Sequence, residues 1–224
     1  KMGVAEPYTD HENEGTMMTT MDLLPLSSAH FEYGAPKIDS IEIARIIDRG
    51  IRESGFVDFE KLCIEEGKKV WSLFIDIATI NDDGNLIDAG ALAALFALKI
   101  ARMPVYDKKT EKIKYGEFTD EPIPLNEDKM PITVTVFKMK DKLFIDPTRQ
   151  EENASEARLS VEISQPKGSK DYVINAMQKG GEAPFSIEEI ETILEEAGKI
   201  FKKFDSIISE EIEKSKKAKK LKKD

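Results

Sequence analysis

The chain has 224 residues, 40% hydrophobic and 34% charged, and its 43 acidic and 33 basic side chains give a formal net charge of −10. An apolar fraction of this size can bury a core in one large domain or two small lobes, which argues against general disorder. The longest apolar run, 89–98, is well short of the roughly 20 residues that a membrane-spanning helix needs, so we expect no membrane partner.

The chain contains one cysteine, Cys63, and two histidines, His11 and His30. One cysteine cannot form an internal disulfide. One cysteine and two histidines are also too few side chains for a typical Cys/His zinc site. We therefore expect no bound metal, no catalytic histidine or cysteine and a cytoplasmic location. Cys63 is interpreted as a small strand side chain between apolar neighbours.

The first predicted elements are a strand and a helix. Residues 1–5 are typical of a strand already under way, so we expect that preceding sequence is missing. Residues 9–20 begin as a polar loop and become β-prone. A helix is predicted over 41–54, with Asp39 and Ser40 at N-cap positions and Gly55 after its end.

One side of this helix carries a set of cations that we call the arginine face: Arg45, Arg49 and Arg52. Three guanidinium groups on one exposed face cannot serve the core, so they either pair with nearby acids or face an anion. The nearby acids are Glu42, Asp48 and Glu53. We expect local pairing to cover the arginine face only in part.

Two β-rich segments, 61–65 and 69–80, predict a hairpin. A turn at 81–85 then leads into a helix at about 88–103, whose small apolar residues require close packing against a sheet. A turn before a helix N-terminus can bind an anion, but no Lys, Arg, Ser or Thr follows until Lys99. We interpret the turn as structural.

Residues 104–131 contain four prolines and many charges, which predicts a lobe boundary. We assign 1–105 to a first lobe, 106–130 to a linker and 131–213 to a second lobe. The basic tail, 214–224, carries seven lysines and one aspartate. It is either a solvated helix end or a disordered arm that touches RNA or a partner.

The second lobe is predicted to contain a hairpin, two further strands and one long helix. The strands are expected at 132–138, 142–146, 156–163 and 171–178. The helix is expected to begin after Ser186, where Ser186 and Glu189 have the spacing of a capping box. The order of elements along the whole chain indicates an α+β or α/β fold.

Three ordered blocks of sequence resemble RNase PH-type exosome subunits, most closely the non-catalytic RNase PH-like subunit of the archaeal exosome. They are 22–36 (DLLPLSSAHFEYGAP), 41–54 (IEIARIIDRGIRES) and the paired segments 70–77 and 83–90 (VWSLFIDI and DGNLIDAG). The resemblance implies an α+β RNase PH fold, N-terminally incomplete here, with a ribosomal-protein-like βαβ lobe and a smaller α/β lobe.

The resemblance also implies partners and an activity. It implies a hexameric ring in which catalytic and non-catalytic subunits alternate, an RNA-binding cap subunit, and single-stranded RNA that is degraded from its 3′ end. Inorganic phosphate is the co-substrate, and in this family the catalytic partner uses it. We therefore expect no cofactor for this chain.

Two departures from the catalytic pattern imply that this chain is inactive alone. Active members carry Gly-Thr-Arg-Thr-Ala-Ser where this sequence has 84–89, so Leu86 replaces a phosphate-binding arginine and Asp88 is expected to repel phosphate. Active members also place two acids six residues apart, and here Glu152 fills the first position but Arg158 the second. We assign no catalytic residue.

In the non-catalytic subunits of this family, the first helix presents arginines to the RNA backbone beside the catalytic neighbour. The matching positions are Arg45 and Arg49. Arg52 is a third candidate, which could instead pair with acids at the subunit interface. The expected function is a structural, RNA-binding ring subunit. The alternatives are an autonomous phosphate-dependent 3′–5′ exoribonuclease and a scaffold whose arginines serve only protein contacts.

Overall fold

The computed structural model describes residues 1–107 and 109–220, with backbone only for 216–220. The first part of the chain forms a four-stranded sheet with two helices. Its elements are β1 (Met2–Ala5), β2 (Thr16–Asp22), α1 (Ile38–Ser54), β3 (Cys63–Glu65), β4 (Lys69–Ala78) and α2 (Leu86–Ile100). Strand β4 pairs with all three others, antiparallel to β1 and β3 and parallel to β2. Because α1 connects β2 to the parallel strand β4, this part contains the expected βαβ unit.

The predicted β3–β4 hairpin is confirmed. Helix α1 ends before Gly55, as predicted. Gly55 has a φ of 66° and donates its N–H to the carbonyl oxygen of Arg52. The predicted N-cap is wrong, because α1 begins at Ile38 and its N-cap is Lys37, whose side chain forms no capping bond. Asp39 instead lies in the first helical turn, where its charge favours the helix dipole. Helix α2 begins two residues earlier than expected.

The segment expected to be a linker contains regular structure. Strands β5 (Arg102–Asp107) and β6 (Lys112–Pro122) form an antiparallel two-stranded ribbon. The register of the ribbon shifts around Pro104, and a two-stranded ribbon tolerates proline because each strand keeps one unpaired edge. The division of the chain at 106–130 stays a prediction.

The second part of the chain is a four-stranded antiparallel sheet covered by a long helix. Its elements are β7 (Ile132–Met139), β8 (Lys142–Ile145), α3 (Arg149–Ala154), β9 (Ala157–Ser164), β10 (Val173–Gly181) and α4 (Ile187–Lys220), and the strand order is β10–β9–β7–β8. The predicted β7–β8 hairpin is confirmed. The capping box is confirmed too, since Glu189 N–H donates to Ser186 Oγ at 3.2 Å and Ser186 N–H donates to Glu189 Oε2 at 2.7 Å.

Two features of this part differ from expectation or go beyond it. The short helix α3 was not predicted, although Thr148 and Glu151 form a second capping box there. The basic tail begins inside α4, which continues to Lys220. Residues 221–224 lie outside the described residues, so the role of the tail stays untested.

The two central strands of the second sheet, β7 and β9, are buried on both faces, and the two faces differ in chemistry. Alternate residues of β7 and β9 form an apolar face that packs with α4: Ile132, Val134, Val136, Leu159, Val161 and Ile163. The other face lies against α1 and α2, and we call it the buried polar face: Thr133, Thr135, Ser160, Glu162 and Ser164. None of the described helices is long and apolar enough to cross a membrane.

Candidate nucleic-acid interface

Two of the three arginines on α1 are exposed and carry little interaction with the rest of the protein. Arg45 and Arg49 project from the side of α1 opposite to its buried isoleucines. Arg45 makes no hydrogen bond or ion pair with any described residue. Arg49 donates one long hydrogen bond, 3.4 Å from Nη1 to Oε1 of Gln178 on β10. Both guanidinium groups therefore have donors available to a ligand.

Arg52, in contrast, is held by the protein. Its Nε donates to Asp48 Oδ2 at 3.0 Å and its Nη2 donates to Asp48 Oδ1 at 3.1 Å. The same Nη2 also donates to the carbonyl oxygen of Met17 on β2 at 3.0 Å, and the guanidinium lies 5.8 Å from the ring centre of Phe59. These contacts confirm local pairing for Arg52, with an acid of its own helix. Pairing of Arg52 with acids at a subunit interface stays a prediction.

Two of the three acids near the arginine face, Asp48 and Glu42, are paired with arginines other than Arg45 and Arg49. Asp48 is taken by Arg52, and Glu42 Oε1 lies 2.7 Å from Nη2 of Arg158. The Arg158 guanidinium reaches Glu42 by crossing Gly180 on β10, where a Cβ atom would lie only 2.4 Å from Nη1. Partial pairing of the arginine face is confirmed, and the two arginines left without a carboxylate partner are Arg45 and Arg49 among the described residues.

The start of α2, where active relatives would hold phosphate, is occupied by the protein itself. The backbone N–H of Asn85 donates to Glu152 Oε2 at 3.0 Å, and Arg149 Nη1 lies 3.1 Å from the same carboxylate oxygen. Arg149 also pairs with Asp82, with 3.1 Å between Nε and Oδ2. A carboxylate at a helix N-terminus provides the negative charge that a phosphate would otherwise bring.

A glycine allows this close packing. Gly84 has a φ of 95°, and a Cβ atom there would lie 2.4 Å from the carbonyl oxygen of Pro147. The residues before α3 therefore rest directly on the backbone of the turn, which leaves no side-chain space between them. The structural interpretation of this turn agrees with its geometry.

The two substituted positions in the turn point into the protein. Leu86 is buried in a small apolar cluster with Met21 and Ala44. Asp88 accepts hydrogen bonds from Thr135 N–H at 2.9 Å, from Thr135 Oγ1 at 2.7 Å and from Asn85 Nδ2 at 3.0 Å. Burial raises the pKa of Asp88 to about 6. The carboxylate is thus held by the buried polar face and by Asn85, and its expected repulsion of phosphate stays a prediction.

The other candidate residues have ordinary surroundings. The Cys63 thiol is free and half-buried. The residue lies opposite Val70 in the β3–β4 hairpin, as its assignment to a strand predicts. His11 is exposed beside Glu14, and His30 lines an open cleft of about 550 Å³ between the loop before α1 and the start of α3. No cluster of three His, Cys, Asp or Glu side chains within the described part of the chain is arranged to hold a metal ion.

Sequence reasoning missed the roles of two acids. Glu152 matches the position of a catalytic acid in the family, and in the structure it accepts the backbone N–H of Asn85, the N-cap residue of α2. Glu162 was not singled out at all, although it is the one charged residue on the buried polar face. The available signal is the alternation of polar and apolar residues in β9 and in the first part of β7, which predicts one polar face but does not say what covers it.

Comparison with known proteins gives matches across most of the chain. The family models for domains 1 and 2 of the 3′ exoribonuclease family, RNase PH, match residues 1–104 and 129–200. Exosome complex component Rrp42 of Methanosarcina acetivorans is 40% identical over 204 residues, which is 89% of this chain and 71% of that protein. Rrp42 of Pyrococcus furiosus is 38% identical over 96% of this chain and 76% of its own length.

Solved structures give the same similarity in three dimensions. A chain of the Archaeoglobus fulgidus exosome with RNA bound to the active site superimposes with a TM-score of 0.77 at 36% identity, covering 91% of this chain and 76% of that one. A chain of an archaeal exosome core gives a TM-score of 0.72 at 34% identity, covering 92% and 74%.

Proposed function

Since the chain belongs to the RNase PH family of 3′ exoribonucleases, we propose that it is a non-catalytic, RNA-binding subunit of an exosome ring. Its partners in this proposal are a catalytic RNase PH-type subunit that alternates with it, an RNA-binding cap subunit and single-stranded RNA, in the cytoplasm. The ring degrades RNA from the 3′ end by phosphorolysis. This chain needs no cofactor, because the catalytic partner uses the inorganic phosphate.

The observation that carries the proposal is the state of Arg45 and Arg49. The neighbouring carboxylates of Asp48 and Glu42 are bound to Arg52 and Arg158. The charges of Arg45 and Arg49 are therefore not offset by these two acids, and most of their N–H donors are free. A guanidinium donates two parallel hydrogen bonds to a phosphate. Contacts to the backbone carry no base information, which suits a subunit that passes any RNA sequence to a neighbour.

The start of α2 supports a passive role in the chemistry. A phosphate bound there would have to displace Glu152 from the Asn85 N–H, and the side chain of Leu86 offers it no hydrogen-bond donor. Arg158 at the second acid position is held by Glu42 and supplies no carboxylate for general-acid or metal chemistry. The chain therefore orients the RNA backbone while the partner brings phosphate to the terminal linkage.

The test is an assay of phosphorolysis. A 5′-labelled, unstructured RNA is incubated with inorganic phosphate and with this chain alone, with the catalytic partner alone, or with the assembled ring. We expect no shortening of the RNA by this chain and processive shortening by the ring. Phosphate-dependent shortening by the isolated chain would establish the autonomous exoribonuclease instead.

A further inference from the structure

Glu162 is a buried acid that the proposed function does not use. Its side chain lies on the buried polar face of β9, beneath α1, and the residue is 1% exposed. Its Oε1 atom is buried and has no hydrogen-bond partner among the described residues. Because an unpaired charge in such a place is costly, a carboxyl group there favours the neutral form.

The backbone of α1 is shaped around this side chain. A Cβ atom at Gly50 would lie 2.7 Å from Cγ, 3.2 Å from Cδ and 3.4 Å from Oε1 of Glu162. The absence of a side chain at Gly50 therefore lets the carboxyl group rest against the helix at the residue next to Arg49. The acid lies under the helix that carries the proposed RNA contacts.

Few charges face Glu162 from the elements packed around it. Arg49 on α1 lowers the pKa of its carboxyl, Asp88 on α2 raises it, and burial has the largest effect, which brings the pKa to about 7. Its sheet neighbours on β7 and β10, Thr133 and Ala176, are uncharged. On β9 itself, the guanidinium of Arg158 is already paired with Glu42.

We propose that Glu162 is a positioning residue that acts through Arg49 and makes RNA binding by the ring depend on pH near neutrality. When Glu162 is neutral, the full positive charge of Arg49 is directed to the RNA backbone. When Glu162 is ionised, its negative charge offsets that of Arg49 and repels the nearby phosphates. This inference rests on the proposed function, because it requires Arg49 to contact RNA.

Proton binding and RNA binding are then coupled in both directions. A phosphate held at Arg49 disfavours the ionised form of Glu162, so the acid takes up a proton when RNA binds in the range where it is partly ionised. RNA affinity falls as the pH rises through about 7 and levels off once the acid is fully ionised. No residue has to move for this effect.

The test compares the assembled ring with rings that carry Glu162→Gln or Glu53→Gln in this chain. Glu53 lies on α1 and is exposed, so the second variant removes a carboxylate of the same helix and leaves the buried site intact. The dissociation constant of a labelled oligoadenylate is measured at pH 6, 7 and 8 at one ionic strength. We expect it to rise about threefold to tenfold from pH 6 to pH 8 in the wild type and in Glu53→Gln, and to stay constant in Glu162→Gln.

Parallel pH profiles of the wild type and Glu162→Gln would overturn this inference. They would not affect the proposed function, which instead fails if Arg45→Ala with Arg49→Ala leaves the affinity unchanged at every pH. If the Glu162→Gln chain does not enter the ring, calorimetry of the wild-type ring decides the question. Titration with the same RNA at pH 7, in buffers of different ionisation enthalpy, should show proton uptake, and its absence would equally overturn the inference.

Discussion

Asp48 and Arg52 are joined by two hydrogen bonds across one turn of α1, with Nε to Oδ2 at 3.0 Å and Nη2 to Oδ1 at 3.1 Å. Thr19 on β2 adds a third contact, since its Oγ1 donates to Asp48 Oδ1 at 3.0 Å. The pair thus fastens α1 to β2. It also divides the arginine face into one residue that supports the fold and two that remain available to RNA.

Reversing the charge of the two available arginines should weaken RNA binding. For Arg45→Glu with Arg49→Glu in the assembled ring, we expect a higher dissociation constant and a shallower salt dependence, because about two phosphate contacts are lost. The measurement is RNA affinity over a series of salt concentrations. Lys202→Glu, at an exposed position on α4, is the control for an added negative charge. Unchanged affinity with the ring intact by size-exclusion chromatography would favour the scaffold alternative.

Arg52→Gln should reduce stability more than it reduces RNA affinity. The variant loses the pair with Asp48 and the hydrogen bond to the Met17 carbonyl, and since the arginine side chain is 40% exposed we expect a cost of about 1 kcal/mol. Chemical unfolding of the single variants and of Asp48→Asn with Arg52→Gln gives the coupling energy. A coupling energy near zero would contradict the assigned role.

Gly50→Ala should destabilise the protein although alanine is the better helix former. The new methyl group would meet Cγ of Glu162 at 2.7 Å, and overpacking of this kind costs about 1–3 kcal/mol. In a Glu162→Ala background the clash disappears, and Gly50→Ala should then be neutral or stabilising by up to about 1 kcal/mol. Equal effects in the two backgrounds, measured by denaturant unfolding, would show that the two side chains do not meet.

Glu162→Gln should stabilise the fold in a pH-dependent manner. Folding raises the pKa of this acid from 4.5 to about 7, so its favourable contribution is complete below pH 4.5 and is lost as the pH rises through about 7. The free energy of unfolding of the variant relative to the wild type should therefore increase between pH 5 and pH 8, with an upper limit of about 3 kcal/mol. Denaturant unfolding at several pH values measures it. A difference that does not change with pH would contradict the burial of this acid.

Leu86→Arg should destabilise the fold and should not create a phosphorolytic enzyme. The arginine would restore one residue of the active pattern, but position 86 is buried against Met21 and Ala44, and an unpaired charge there should cost roughly 3 kcal/mol or more. Leu86→Met is the volume-matched control and should cost less than about 1.5 kcal/mol. Unfolding experiments and the phosphorolysis assay check the two parts. Phosphate-dependent RNA shortening by the variant alone would show that Glu152 does not block the start of α2.

Most of the local structure, and the family, can be predicted from the order of the residues alone. Helical periodicity and Gly55 predict the body and the end of α1 but not its N-cap, and the Ser186 capping box predicts the start of α4. The strands β7 and β9 lie where strands are predicted. Three ordered blocks of sequence are enough for the resemblance to RNase PH-type subunits, and the family models confirm the RNase PH family. These features depend on residues close to one another in the chain, where capping and hydrophobic periodicity act.

Which charges are free depends on contacts between distant parts of the chain. Arg158 lies more than a hundred residues after Glu42, yet it forms an ion pair with this acid, which is then not available to Arg45 or Arg49. Glu152 likewise contacts the start of α2 from a distant part of the chain. The alternation in β9 likewise gave no sign that helices cover its polar side and bury Glu162. Ion pairing and desolvation depend on distances through space, so the composition of one helix or strand does not fix them.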